Sequence, residues 1–175
     1  MGLPQTVADY RERKVLKRFR VTPVSPVLIL GVELAMYIFY CILSVITLSL
    51  ISLIWHVRLH GSLLGFIGSW FLTMISTLCI GMLVGGTAKN TKQSSVIASA
   101  LYFPMLVFSG ATLPVEVMPR IMQKVVGCFP LTQGITLMKN AFLGTEPNNI
   151  LLPISVMLAV TALCSVLSVK LFRWE

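Results

Sequence analysis

Few residues of this chain have types and spacings that could support chemistry. His56 and His60 stand four positions apart, a spacing that suits two metal ligands on one helical face. No carboxylate or cysteine lies beside them, so we interpret them as ordinary interface histidines. The sequence contains no P-loop and no paired carboxylates or Ser/His/Asp set placed for catalysis. It therefore predicts no catalytic residue, no metal site and no enzyme.

The cysteines and the acids give a similar result. Three of Cys41, Cys79, Cys128 and Cys164 lie in apolar runs without CxxC pairing, which favours small buried side chains over a metal site or disulfides. Glu33 is the one acid within a long apolar run, and such a carboxylate is a functional candidate by default. It lies roughly 10 Å from the end of the predicted helix. A role in coupling or substrate contact stays open beside a structural one, in which it contacts lipid headgroups or pairs with Arg20.

The composition places these residues in a membrane protein. Of 175 residues, 56% are apolar and 11% are charged, whereas soluble domains carry about 25% charged residues. The net charge of +8 lies in patches between apolar runs and not in one stripe, which excludes a nucleic-acid partner in favour of a lipid bilayer.

Four apolar runs are long enough for a bilayer core, which needs about 20 helical residues. Because the backbone must satisfy its own hydrogen bonds in lipid, the runs predict helices, and hence an all-α polytopic membrane bundle. These predicted transmembrane helices cover residues 27–54, 62–87, 94–113 and 150–169.

The basic residues predict the orientation. If four helices alternate, ten Lys and Arg residues lie on the side of both termini and four on the other side. The positive-inside rule then places the N-terminus and the C-terminus in the cytoplasm, in a multi-pass protein of the cell (plasma or inner) membrane.

Two stretches do not span. Residues 1–26 are polar and basic, and they predict a short helix from about Thr6 to Arg20 that Pro23 and Pro26 keep separate from the first membrane helix. Residues 114–149 contain three prolines and three glycines between short apolar patches. They predict one or two short helices in an outer re-entrant or interfacial segment.

Small residues recur every four positions along the second membrane helix. Such residues let two helix backbones approach closely, so they predict a packing seam, either within the chain or between chains. The seam residues are Gly61, Gly65, Ser69, Gly81 and Gly85.

The region from residue 101 to 144 resembles the C-terminal part of the permease (transmembrane) subunits of type 2 ABC exporters. It contains Ser-Gly near the end of a membrane helix, two further prolines, then Pro-Leu-Thr, and Lys139 where an arginine is common in the family. The residues that match this signature are Ser109, Gly110, Pro114, Pro119, Pro130, Leu131, Thr132 and Lys139.

The N-terminal segment, Ala-Asp-Tyr-Arg-Glu-Arg-Lys-Val-Leu-Lys-Arg-Phe-Arg-Val-Thr-Pro-Val-Ser-Pro, is similar to the cytoplasmic segment before the family's third helix. In the family this segment is a coupling helix that docks on the ATP-binding subunit. The resemblance implies the same role for Tyr10, Arg11, Glu12, Arg13, Lys14, Leu16, Arg18, Thr22 and Pro23.

The resemblance implies the permease subunit of an ATP-driven exporter for an amphipathic substrate such as a drug or lipid. ATP and Mg would bind a separate ATP-binding subunit, so that no cofactor binds this chain directly, and a second permease copy, identical or different, would complete the path. The alternative is a truncated, non-transporting scaffold or remnant that binds a partner through its basic segment.

A complete permease of this family has six membrane helices, and the present chain corresponds to the part after the second. The resemblance leaves open a truncated product, a split subunit and a fragment of a longer reading frame.

Overall fold

A computed structural model describes residues 2–13, 26–56, 60–110, 112, 118–145 and 150–171. These residues form seven α-helices and no strand. The helices are α1 (Gly2–Glu12), α2 (Pro26–Ile54), α3 (Leu63–Thr87), α4 (Thr91–Val107), α5 (Arg120–Val126), α6 (Pro130–Leu143) and α7 (Leu151–Leu171).

Three of the described helices are long and apolar enough to cross a membrane. The candidate spans are Leu30–Ile54 in α2, Leu63–Thr87 in α3 and Leu151–Ser168 in α7. At most 17% of an 18-residue apolar stretch in each span is buried within the chain, and side chains such as Leu64 are 85% exposed. Apolar side chains exposed along whole helices require lipid as their solvent. The protein is therefore an all-α membrane helical bundle.

The fourth predicted span differs from the sequence-based expectation of 94–113. α4 has 17 residues and is about 25 Å long, which is short for a hydrocarbon core of about 30 Å. It begins three residues early because the Asn90 side chain accepts a hydrogen bond from the Gln93 N–H at 2.7 Å and caps the helix. It ends six residues early, where Ser109 bonds back to Leu106 and Gly110 adopts a left-handed φ of 83°.

The first helix also differs from its predicted range of Thr6 to Arg20. α1 begins at Gly2 and its regular part ends at Glu12. Pro4 is tolerated because it lies in the first turn, where a backbone N–H would have no helical partner. The predicted continuation to Arg20 lies outside the described residues.

The stretch 114–149 contains two short helices within its described part. Pro119 precedes α5, and Pro130 is the first residue of α6, where its fixed φ suits a helix start. α6 ends at Gly144, which has a left-handed φ of 69°. The location of this segment on the outer side of the membrane stays a prediction.

The chain divides into two compact units. Unit 1 comprises Met1–Val57, Leu78–Ser99 and Cys164–Glu175, and unit 2 comprises Arg58–Thr77 and Ala100–Leu163.

Candidate functional site

In unit 1, α1 packs against the neighbouring helices through one apolar face. Leu3 and Val7 form a buried cluster with Leu30 of α2. On the side of α3, a Cβ added at Gly85 would lie 2.8 Å from the Val7 Cβ. A Cβ added at Gly81 would lie 3.2 Å from Leu3. The absence of side chains at the two glycines therefore provides the space in which α1 lies.

Polar contacts fix α1 to α2 and α4 along its length. Ser94 of α4 is fully buried and donates a hydrogen bond to the Pro4 carbonyl at 2.8 Å. The Gln5 amide donates to the Ser95 hydroxyl at 3.1 Å. These contacts join the first half of α1 to the start of α4.

A further contact joins Thr6 of α1 to α2. The Thr6 hydroxyl donates to the Gly2 carbonyl, so in its 3.4 Å contact with Tyr37 the tyrosine is the donor. This contact reaches α2 one turn beyond Glu33.

Arg11 and Glu12 contact the two sides of the turn between α3 and α4. The Arg11 guanidinium donates to the carbonyl oxygens of Gly86 and Ala88, the latter at 2.9 Å, at the C-terminus of α3. The Glu12 carboxylate accepts from the Thr91 N–H at 2.9 Å and from its hydroxyl at 2.7 Å, at the N-terminus of α4. Each charge lies at the helix end whose dipole it complements.

Two of the predicted coupling residues have contacts within the chain, and their contact with an ATP-binding subunit stays a prediction. The side chains of Arg11 and Glu12, which the resemblance assigned to an ATP-binding subunit, contact the chain's own α3–α4 turn. Arg13 has a 72% exposed side chain and forms a 2.8 Å ion pair with Asp9 one turn earlier. The other predicted coupling residues lie outside the described part of the chain, namely Lys14, Leu16, Arg18, Thr22 and Pro23.

Glu33 is buried in α2 at 6% exposure and accepts a long hydrogen bond of 3.4 Å from the Tyr10 hydroxyl. Burial, and next the Glu33 charge, raise the pKa of Tyr10 above its ordinary value of 10.0. The structure therefore pairs Glu33 with α1, whereas the suggested partner Arg20 is not among the described residues.

The predicted seam residues contact other segments of the same chain. Gly81 and Gly85 face α1, as described above. In unit 2, a Cβ at Gly61 would lie 2.7 Å from the Gly144 nitrogen, and one at Gly65 would lie 3.6 Å from the Ala141 Cβ. Ser69 donates to the Gly65 carbonyl at 2.7 Å. The repeat thus contacts α1 through its second half and the end of α6 through its first.

In unit 2, the family-signature residues gather around a cavity of about 360 Å³. Ser109 and Gly110 follow α4, while Thr132 and Lys139 lie on α6, and all four line the cavity. Pro119 and Pro130 start the two helices that border it, with Leu131 partly buried beside Pro130. Pro114 lies outside the described residues.

Sequence reasoning missed several residues that this arrangement depends on. The contacts of α1 are made by Thr91, Ser94 and the carbonyls of Gly86 and Ala88. The sequence contained a signal for the start of α4 at Asn90 and Thr91, since both residue types are preferred at helix N-termini. Across the described segments, no group of three or more His, Cys, Asp or Glu residues could hold a metal ion. His56, with a positive φ of 53°, lies in the turn that follows the end of α2 at Ile54.

Comparison with known proteins agrees with the fold and the signature. The profile of the family described as ABC-2 family transporter protein matches residues 1–170. No solved structure matches the chain significantly.

Three curated proteins illustrate the relationship. The probable multidrug ABC transporter permease YbhS of Escherichia coli (strain K12) is 28% identical over 170 residues, 95% of this chain and 43% of the relative. The inner membrane transport permease YhhJ of the same organism is 25% identical over 129 residues, 73% of this chain and 34% of the relative.

The nodulation protein J of Neorhizobium galegae is 28% identical over 102 residues, 58% of this chain and 39% of the relative. The chain thus spans less than half the length of each of these relatives. Since the family profile covers nearly all of it, the chain belongs to the ABC-2 family of transporter proteins.

Proposed function

We propose that this chain is the permease part of an ATP-driven exporter, in which the basic N-terminal segment receives force from a separate ATP-binding subunit. The transported substrate is an amphipathic molecule such as a drug or lipid. The termini lie in the cytoplasm of a cell whose plasma or inner membrane holds the protein. A second permease copy completes the path.

The observation that supports this role is the attachment of α1 to three helices at once. Its last turn contacts α2 through Tyr10 and Glu33, the end of α3 through Arg11, and the start of α4 through Glu12. A displacement of the residues that follow α1 would therefore act on α2, α3 and α4 together. A solvated basic helix with no role in coupling would not need these contacts.

The assignment of ATP to a partner rests on the sequence. The chain has no P-loop and no paired carboxylates for Mg²⁺. The amphipathic substrate class is supported by the word multidrug in the name of the relative YbhS. It also agrees with Ser, Thr, Met and aromatic residues in the apolar helices.

Charge reversal on the segment after α1 tests the proposal. The double variant Arg13→Glu/Lys14→Glu is reconstituted in vesicles together with an ABC ATP-binding subunit that supports export by the unmodified chain, and dye export and ATP hydrolysis are measured in parallel. We expect ATP hydrolysis to continue while dye export falls to background, because the ATP-binding subunit no longer binds the basic segment through which it would move the helices.

A matched control keeps the same change of net charge. Lys124→Glu/Lys170→Glu reverses two exposed lysines that lie on α5 and α7 and not at the α3–α4 turn, and it should export dye in proportion to the ATP hydrolysed. Coupled export by the Arg13→Glu/Lys14→Glu protein at the rate of this control would remove the coupling role.

A further inference from the structure

We infer that the cavity of unit 2 binds a phosphate group, carried by a lipid headgroup or by a small solute. The cavity lies between the turn after α4, the helix α5 and the helix α6. Ten residues line it, among them Gln123, Thr132, Gln133 and Lys139. Its volume of about 360 Å³ falls within the range of roughly 300–1,000 Å³ found for ligand pockets.

Thr132 provides the first indication of a ligand. Its side chain is 4% exposed, and its Oγ1 has no hydrogen-bond partner among the described residues. A buried hydroxyl without a partner loses its hydrogen bond to water without replacement, so such a group is rare in the absence of a ligand or water. Since Thr132 lines the cavity, an acceptor bound there would satisfy it.

The neighbouring amides add further donors. Gln133 donates one N–H to the Gly127 carbonyl, and Gln123 donates one to the Met118 carbonyl at 2.9 Å. Each side-chain amide carries two N–H groups, so each has a second one for a ligand. Together with the Thr132 hydroxyl, three donors therefore surround the same space.

The charge of the lining selects the sign of the ligand. Lys139 is the one charged residue among the ten that line the cavity, and none of the ten is a carboxylate. A cationic ligand would meet like charge and surplus donors. An anion would meet an ammonium group and donors, which form the shorter and stronger charge-assisted hydrogen bonds.

A phosphate group fits this set better than a single small anion. It has several acceptor oxygens that can be shared among an ammonium group, a hydroxyl and two amides. The space exceeds that of one ion, so the rest of a headgroup or a small organic phosphate can enter with it. The surrounding bilayer supplies phospholipids, whereas a solute would supply the same chemistry from water.

The test measures both sources on the full chain, purified in a phosphate-free maltoside detergent. Native mass spectrometry follows the retention of added phosphatidylglycerol, with an uncharged diacylglycerol as the reference lipid. Isothermal titration follows the binding of inorganic phosphate. We expect saturable binding in one of these arms, which identifies the source, and weakening by about tenfold or more in Lys139→Gln and in Thr132→Val.

Two matched variants separate the cavity from general effects. Lys124→Gln removes an exposed lysine on α5 that does not line the cavity, and Thr77→Val removes a hydroxyl that bonds only within α3. Both should bind as the unmodified chain does. If neither ligand binds saturably, or if Lys139→Gln binds as tightly as Lys124→Gln, the inference is overturned. Lys139 is exposed, so its variant keeps the test decisive even if Thr132→Val does not fold.

Discussion

The carboxylate of Glu12 accepts two hydrogen bonds from Thr91, one from its backbone N–H at 2.9 Å and one from its hydroxyl at 2.7 Å. The last residue of α1 thereby caps the first turn of α4, which lies 79 positions further along the chain. The contact therefore joins the end of α1 directly to the start of α4.

The Glu12–Thr91 contact depends on pH. Hydrogen bonds from the Thr91 backbone and then its side chain lower the pKa of Glu12 below its ordinary value of 4.5. Because the folded-state pKa is lowered, the stabilisation is complete above pH 4.5 and is lost as the pH falls through the lower folded-state value. We expect the amides at the start of α4 to lose protection from hydrogen exchange in that acidic range.

Glu12→Gln is the control for this titration, since its side chain stays neutral at every pH. The intrinsic pH dependence of amide exchange is the same in both proteins, so comparing them removes it. Protection in the unmodified chain should approach that of Glu12→Gln as the pH falls. Parallel profiles for the two proteins from pH 7 to acid would show that the carboxylate does not hold α4.

The contact between Tyr10 and Glu33 predicts an alkaline titration. Burial, and next the Glu33 charge, raise the pKa of Tyr10 above 10.0. A raised folded-state pKa means that the contact contributes its stabilisation below pH 10.0 and loses it as the pH rises through the folded-state value. The difference in tyrosinate absorbance between the unmodified chain and Tyr10→Phe should therefore show a midpoint above 10.0. A midpoint at or below 10.0 would contradict the described position of α1 over Glu33.

The packing of α1 on α3 predicts a difference between two glycines of the same helix. A Cβ at Gly85 would lie 2.8 Å from the Val7 Cβ and 3.0 Å from the Pro4 carbonyl oxygen, whereas one at Gly68 would meet nothing within 4 Å. Gly85→Ala should destabilise the protein by about 1–3 kcal/mol through overpacking. Gly68→Ala should stabilise it by about 0.5–1 kcal/mol, because alanine is the better helix former.

Thermal unfolding in detergent measures the effect of both substitutions. Equal melting temperatures for Gly85→Ala and Gly68→Ala would show that α1 does not lie against Gly85.

A hydrogen bond between α3 and α7 can be measured within unit 2. Ser76 is fully buried, and its hydroxyl lies 2.7 Å from that of Thr161. Thr161 donates its own hydrogen to the Met157 carbonyl, so Ser76 is the donor in this pair. A double-mutant cycle with Ser76→Ala and Thr161→Val should give a coupling energy of about 0.6 kcal/mol, and at most about 1.7, as for other membrane hydrogen bonds.

The cycle uses reversible unfolding in mixed detergent micelles. Strictly additive effects of the two substitutions would mean that the hydroxyls do not interact.

The long helices α2 and α3 could be predicted from the sequence, whereas the bounds of α4 could be predicted less well. α2 and α3 start within one residue of the predicted positions and end at Ile54 and Thr87 as predicted, because continuous apolar length is set by the thickness of the bilayer. The end of α4 was missed because Phe108 to Thr112 stays apolar or small while the backbone turns at Gly110. Hydropathy does not record a local change of φ.

The candidate sites required tertiary information. The sequence placed Arg11 and Glu12 in a basic segment, where partner contact was the natural interpretation. Their bonds to Ala88 and Thr91 join residues more than 70 positions apart, a relation that no local pattern contains. The small-residue repeat was visible in the sequence. The sequence could not show that its second half contacts α1 and its first half contacts the end of α6, because this depends on which helix lies beside each glycine.

The most direct measurement of the central claim is site-specific photo-crosslinking from Arg13, whose side chain is 72% exposed at the end of α1. A benzophenone amino acid replaces Arg13 in cells that express the full chain, and a second protein carries it at Ile121, which is 80% exposed on α5. We expect that position 13, and not position 121, yields an adduct with a polypeptide that contains a P-loop ATPase. Adducts with lipid alone at position 13, or the same protein adduct at both positions, would contradict it.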